Sequence, residues 1–245
     1  DSSYYNSNFY NPQNGAEKSM NTTYYFYYGT VLYISLNSED ACTDTEAMAS
    51  QRAWLEKVLE KNTAQFIVVY FHRSMYPGSG GNTGHASKMK AGFQDLFDKY
   101  GVDLVFGGHD HVYVRTNKIY NGKTSTVNGV GTTYISTTQI GDRTNTANND
   151  MTDLAFKAGS NVGAISLTVD SEWGSLLVRF YNEKYEIVDS VGINAKTRQF
   201  DCEKYLKTSC KFSYGDSFSS LQLDYGADLF QKATKVSIIE DGKVI

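Results

Sequence analysis

Val102-Asp103-Leu104-Val105-Phe106-Gly107-Gly108-His109-Asp110-His111-Val112-Tyr113-Val114-Arg115 is the stretch on which the reading of this chain turns. Its opening run is apolar and of strand length, and a glycine pair ends it. Two histidines two positions apart follow, just past the C-terminal end of that strand. In open α/β sheets this edge is where ligands bind. Glycine lets backbone approach closely there. Imidazoles at i and i+2 on irregular backbone can point at two neighbouring cations. The residue types therefore indicate a metal site.

The chain has 4 histidines. Gln65-Phe66-Ile67-Val68-Val69-Tyr70-Phe71 is a second strand-like run and ends at His72; Arg73-Ser74-Met75-Tyr76-Pro77 and a glycine-rich loop carrying His85 come next. The interval from His72 to His109 fits a strand, a loop, a helix and a parallel strand, the size of a βαβ unit. His72 and His109 are thus expected at one edge of one sheet. A lone histidine is more often packed or solvated than a ligand. Two at matching strand ends, one of them in His-x-His, reverse that preference.

Phe71-His72-Arg73-Ser74-Met75-Tyr76 followed by Gly108-His109-Asp110-His111-Val112-Tyr113-Val114-Arg115 resembles the last two motifs of the calcineurin-like metallophosphoesterases, and more closely their purple acid phosphatase branch. The hairpin-like segment 21–38 and Gln51-Arg52-Ala53-Trp54-Leu55 are similar to the elements that enter that half of the family domain. The similarity runs from about Pro12 to Ile193. Val114 departs from the branch, which usually carries Glu there; that position is not a ligand.

The resemblance implies an α/β fold, the four-layer αββα metallophosphoesterase sandwich, and hydrolysis of a phosphorylated small-molecule or ester substrate at a dinuclear centre. By motif match His72 and His109 would bind the second metal and His111 the first. His85 would hydrogen-bond phosphate or protonate the leaving alkoxide, and Tyr76 would line the phosphate pocket. Imidazole suits Fe, Zn or Mn alike. The family's Asp-x-His, Gly-Asp and Gly-Asn-His motifs do not occur between Asp1 and Tyr70; Gly141-Asp142 and Gly215-Asp216 are out of order and read as turns. The expectation is therefore only the C-terminal half of the domain, with a mixed and antiparallel β meander. Its partner would be a missing N-terminal half supplying the acidic ligands. Such a chain alone should bind at most one metal weakly and turn over little. Arg115 is expected to pair with a carboxylate under the site, and Asp110 either to orient a histidine or to face water.

Bulk properties agree with a folded hydrolase half. The 245 residues are 40% hydrophobic with net charge −4, and mean hydropathy is −0.43. No basic footprint exists for nucleic acid, and no apolar run reaches membrane-spanning length. The 19 tyrosines and plentiful Asn, Ser and Thr suit a secreted or cell-surface protein. Three cysteines cannot all pair internally. Cys202 and Cys210 can close a small loop in an oxidising compartment or remain free thiols in a reducing one. Asn21-Thr22-Thr23 is a sequon near chance frequency in so Asn/Thr-rich a chain.

Periodicity predicts strands at 23–27, 31–37, 66–71, 112–119 and 131–136, with 163–169, 176–182 and 187–193 as a meander. Helices are expected from Thr43, capped by Thr43 with Glu46 as a capping box, and from Ser87 to Tyr100. Residues 1–20 read as irregular. Residues 1–196 form the catalytic-domain part, and 197–245 a β-rich extension or the start of another domain. The competing class is a non-catalytic secreted or surface module that keeps the scaffold, although three histidines at strand ends have no purpose there. A zinc hydrolase of another fold would need a His-Glu-x-x-His helix, which the sequence lacks.

Overall fold

The computed structural model describes residues 3–79, 83–127, 129–139, 141, 145–147, 153–159, 162–172 and 174–195, plus strand segments 210–214, 219–223, 239–240 and 243–244. The chain divides into two compact units, Asp1–Lys196 and Thr197–Ile245.

In the first unit a six-residue helix, α1 (Ser3–Asn8), and a single 3-10 turn (Glu17–Ser19) occupy the segment expected to be irregular. Strands β1 (Tyr24–Tyr28) and β2 (Val31–Ser35) then form an antiparallel hairpin, with Gly29 at φ 57° in its turn. The helical region that follows is two helices, α2 (Ser38–Thr43) and α3 (Thr45–Glu60), where one was expected. Thr43 is not the cap. Its hydroxyl donates back to the Glu39 carbonyl inside α2, while Asp44 adopts extended backbone and its carboxylate accepts from the Glu46 and Ala47 amides. A carboxylate at that position is the better N-cap acceptor, and it also meets the positive end of the helix.

Strand β3 (Phe66–Arg73), helix α4 (Thr83–Tyr100) and strand β4 (Leu104–Gly108) make the βαβ unit. Gly101, at φ 66°, ends α4 in the left-handed conformation glycine permits. The strand expected over 112–119 is broken into β5 (Tyr113–Thr116) and β6 (Ile119–Tyr120). Strand β6 pairs with β7 (Lys123–Thr124) across Asn121-Gly122, both at positive φ as a tight hairpin requires. Strands β8 (Thr133–Ser136) and β9 (Leu154–Gly159) complete the main sheet, and β9 had no counterpart in the expected elements. The sheet has seven strands in the order β1-β2-β3-β4-β8-β5-β9. Neighbours β2/β3, β3/β4 and β4/β8 run parallel; β1/β2, β8/β5 and β5/β9 run antiparallel.

Strands β10 (Gly163–Asp170), β11 (Ser175–Asn182) and β12 (Ile187–Asn194) form the expected meander as a separate antiparallel sheet. Alternation along β2, β3 and β4 sorts their side chains to two faces. Ile34, Ile67, Val69 and Val105 pack with Leu55, Leu59, Phe93 and Phe97 of the helices. Val31, Phe66, Val68 and Leu104 pack with Leu176, Val178, Phe180 and Ile193 of the meander. Covering both faces explains why β3 reads as an unbroken apolar run. The described residues of the first unit thus form helix, sheet and sheet, a mixed α/β sandwich.

The second unit contains two hairpins, β13 (Cys210–Tyr214) with β14 (Ser219–Leu223) and β15 (Ile239–Glu240) with β16 (Lys243–Val244). The Cys202–Cys210 pairing lies outside the described residues. Cys42 is a buried free thiol.

Candidate metal centre

Parallel pairing brings the C-terminal ends of β3 and β4 to one edge, and two local devices then aim their histidines. Between β3 and β4 the register steps from Phe71 opposite Gly107 to Arg73 opposite Gly108, which leaves His72 as the extra residue of a bulge. A bulge re-aims its side chain and ends the pairing. Past β4, His109 and His111 sit at φ 70° and 54°, with the Asp110 amide donating to the Gly108 carbonyl at 2.8 Å. Gly107 is required for contact: a Cβ there would lie 2.6 Å from the Ser74 Cα.

The result is a close pair. His72 Nε2 and His109 Nδ1 are 3.0 Å apart, with the rings edge-on at 83°. Partial desolvation lowers the pKa of His72 first of all; Arg73 and His111 add to that and Glu39 opposes it. Desolvation likewise lowers His109, reinforced by Arg73 and His72. Both rings are therefore held toward the neutral form that binds cations.

Arg73 and Glu39 complete the cluster. Arg73 Nε and Nη2 donate to the two Glu39 carboxylate oxygens at 2.5 and 3.0 Å, and Nη1 lies 3.0 Å from His109 Nε2. The Arg73 amide donates to Ser38 Oγ at 2.9 Å, which ties the strand end to the start of α2. The hydrogen bonds from Arg73 hold Glu39 below the usual carboxylate range. A cleft of about 500 Å³ opens beside His72, lined among others by Tyr24, Glu39, Tyr70, Gly108 and Thr137.

The remaining expected residues are placed differently. His111 lies near enough for its charge to act on His72. His85 is helical rather than in a loop, in the first turn of α4, and its charge reaches Glu39. Tyr76 does not line the cleft. It is 3% exposed, exchanges hydrogen bonds with Gln94, lies under the Lys90 ammonium and packs on Tyr134, and burial pushes its pKa up to about 12. Asp110 neither orients a ring through a hydrogen bond nor faces water: at 1% exposure it accepts from the Ser79 amide and hydroxyl, locking the loop after β3 to the histidine turn. Arg115 pairs as expected, with Asp189 of β12 at 2.7 and 2.9 Å, and the Tyr113 hydroxyl donates to the same carboxylate at 2.9 Å.

Glu39 was missed in the sequence, although its signal was available. It follows β2, the next parallel strand, so it emerges at the same edge as His72. The donors fit a cation in part. Two imidazole nitrogens face the same space at hydrogen-bond distance, 3.0 Å, somewhat closer than the about 3.3–3.4 Å between two ligands of a tetrahedral zinc ion. Among the described residues, however, no group of three or more His, Cys, Asp or Glu side chains is arranged to hold a metal. The acidic ligands of a dinuclear centre are not grouped with these histidines.

Residues 2–113 match the family model of the calcineurin-like phosphoesterases. Purple acid phosphatase 15 of Arabidopsis thaliana is 32% identical over 120 residues, covering 48% of this chain and 22% of that protein. Probable purple acid phosphatase 20 of the same plant is 32% identical over 175 residues, covering 69% of this chain and 38% of that protein. The chain thus spans well under half the length of these relatives. The purple acid phosphatase PPD1 from yellow lupin seeds shares the fold, with a TM-score of 0.58 at 22% identity over 70% of this chain and 32% of that one. Residues 2–113, a little under half of the chain, thus match the calcineurin-like phosphoesterase family model, and the relatives it resembles in sequence are purple acid phosphatases.

Proposed function

We propose that this chain is the histidine-bearing part of a metal-dependent phosphoesterase that hydrolyses phosphomonoesters. The convergence of His72 Nε2 and His109 Nδ1 at one sheet edge carries the reading. His72 and His109 would hold one cation and His111 the other, drawn from Fe, Zn or Mn. When bound, such a pair neutralises phosphoryl oxygens and lowers the pKa of an attacking water. His85, at the start of α4, is the side chain placed to meet the leaving group or a phosphate oxygen, an effect on the order of 10²–10⁴-fold in rate for proton transfer. Tyr76 keeps a packing role. Bridging two dications requires anionic ligands, and Glu39 is committed to Arg73, so this reading assigns the carboxylates to the family's acidic motifs, which do not occur between Asp1 and Tyr70. Among the described residues no helix is long and apolar enough to cross a membrane. The tyrosine- and asparagine-rich surface suits a secreted or cell-surface setting.

A second reading, a scaffold kept as a binding module without catalysis, draws on the same missing carboxylates. Hydrolysis of p-nitrophenyl phosphate separates the two. The 245-residue chain with Zn, Mn or Fe added should show trace turnover, whereas a polypeptide that precedes it with the acidic motifs should be active and lose at least ~100-fold with His109→Ala. Vigorous turnover by the chain alone would refute the division of ligands. A metal-loaded longer polypeptide without activity would leave the module.

A further inference from the structure

Among the described residues the meander covers only part of the sheet face it packs on. Phe180 of β11 stacks on Tyr113, Asp189 of β12 holds Arg115, and Gln65, just before β3, donates to the Ser171 carbonyl in the turn after β10 at 3.1 Å. The meander therefore sits over β5 and β4, with β10 on the side of β3. Past β10 the same face runs on uncovered. Cross-strand register puts Tyr24, Phe26 and Tyr28 of β1, Tyr33 of β2, Tyr70 of β3 and Phe106 of β4 on the face that also carries the buried Val31, Phe66 and Leu104. These six rings are half-buried or exposed, Phe26 at 38% and Tyr28 at 77%, and none carries a charge. They form one row: Phe26 stacks on Tyr33 at 5.1 Å, and Tyr24 meets Tyr70 at 6.3 Å between ring centres. A contiguous uncharged surface of this kind, continuous with a buried core, marks an interaction site.

The meander is unfinished on the same side. Leu176, Val178 and Phe180 of β11 are at most 1% exposed, whereas Ile165, Leu167 and Val169 of β10, packed on the same core, are only half-buried. Strand β10 is an edge, and among the described residues no strand pairs with its outer side. The outer side of β1 is closed by comparison. The Asn14 side chain donates to the Tyr25 carbonyl at 2.9 Å and accepts from its amide at 3.1 Å, and the Thr23 amide donates to the Ser19 carbonyl at 3.0 Å. We propose that the open edge of β10 and the aromatic row dock an amphipathic β-strand of the polypeptide that carries the acidic motifs. Its backbone pairs with β10, and its alternate apolar side chains cover the row at the ordinary sheet-to-sheet separation of about 10 Å. Tyr24, Tyr70 and Phe106 also line the cleft beside His72, so a strand on this face ends at the histidine edge. The inference rests on the division of ligands proposed above and adds how the parts are held: by apolar contact and strand pairing, not by shared ions.

The test co-produces the full 245-residue chain with the polypeptide carrying the acidic motifs as a separate chain. The two should co-purify in EDTA, and equally well when the chain carries His72→Ala/His109→Ala. Phe26→Lys/Tyr28→Lys, at the two most exposed rings of the row, should weaken the association by at least roughly tenfold. Its urea midpoint should match that of the unaltered chain, which separates lost docking from lost folding. Amide exchange should slow in β10 on association and stay unchanged in β1. Association indifferent to the two lysines, dependent on metal, or protecting β1 in place of β10 would overturn this inference and leave the division of ligands standing. A chain that pairs with a second copy of itself through the row in light scattering, and excludes the acidic polypeptide, would assign the face to that copy and overturn it too. Tight association by the predicted face, but no phosphatase turnover after metal is added, would uphold the docking and sink the proposed function. Absence of association in every form would sink both.

Discussion

Arg115 and Arg73 each grip a carboxylate through two hydrogen bonds, Asp189 for the first and Glu39 for the second. Their surroundings differ. The Arg115 and Asp189 side chains are 14% and 5% exposed, and the Tyr113 hydroxyl also donates to Asp189 while its ring stacks on Phe180 at 4.0 Å. Glu39, by contrast, is 49% exposed, and the third contact of Arg73 is His109 Nε2, the ring nitrogen not turned to His72. The Tyr-x-Arg end of the motif is thus a buried clasp between the two sheets. The strand-end Arg73 pair is one that water can replace. Similar chemistry gives a structural element in one place and a displaceable one in the other, and burial decides which.

The largest effect should come from breaking the clasp. Asp189→Ala removes the carboxylate that the buried Arg115 guanidinium and the Tyr113 hydroxyl share, and should destabilise the first unit by about 3–5 kcal/mol in urea unfolding. Glu39→Ala, at its exposed pair, should cost no more than about 1 kcal/mol. Equal losses would erase the distinction drawn here. Next comes Gly107→Ala, whose methyl would press on the Ser74 backbone; about 1–3 kcal/mol is expected, with faster amide exchange in the loop after β3. An unchanged exchange pattern would mean the loop yields freely.

The smallest effect is on pH. His72 and His109 have folded-state pKa values lowered from 6.5, so below that value the unfolded chain takes up protons first. Their contribution to stability is full above about pH 6.5 and is lost as pH falls through the folded values. In the cation-free chain, midpoint denaturation should therefore decline from pH 7.5 to 5.5, and His72→Ala/His109→Ala should flatten the slope. A slope unchanged in the double variant would assign it elsewhere.

Much of this architecture was legible in the sequence because it follows from period and punctuation. The apolar runs ending at His72 and Gly108, the Asn121-Gly122 hairpin and the Gly101 stop all carry local physical signals. What escaped depends on tertiary context. Asp44 displaced Thr43 as a cap because a carboxylate accepts two amides there. The bulge that turns His72 outward exists only against β4. Strand β9 has no strong alternation of its own and is defined by its pairing with β5. Tyr76 looked like a pocket residue because it follows the histidine closely, yet the loop after β3 turns it into the helix-facing core. The histidine pair was visible from strand ends alone, while the Arg73–Glu39 pair needed the adjacency of β2 and β3.

The central claim is that His72 and His109 share one cation. X-ray absorption at the zinc edge of the Zn-loaded chain tests it most directly. Imidazole scattering from two rings is predicted, falling to one or none in His72→Ala and in His109→Ala. A zinc environment that both substitutions leave unchanged would contradict it.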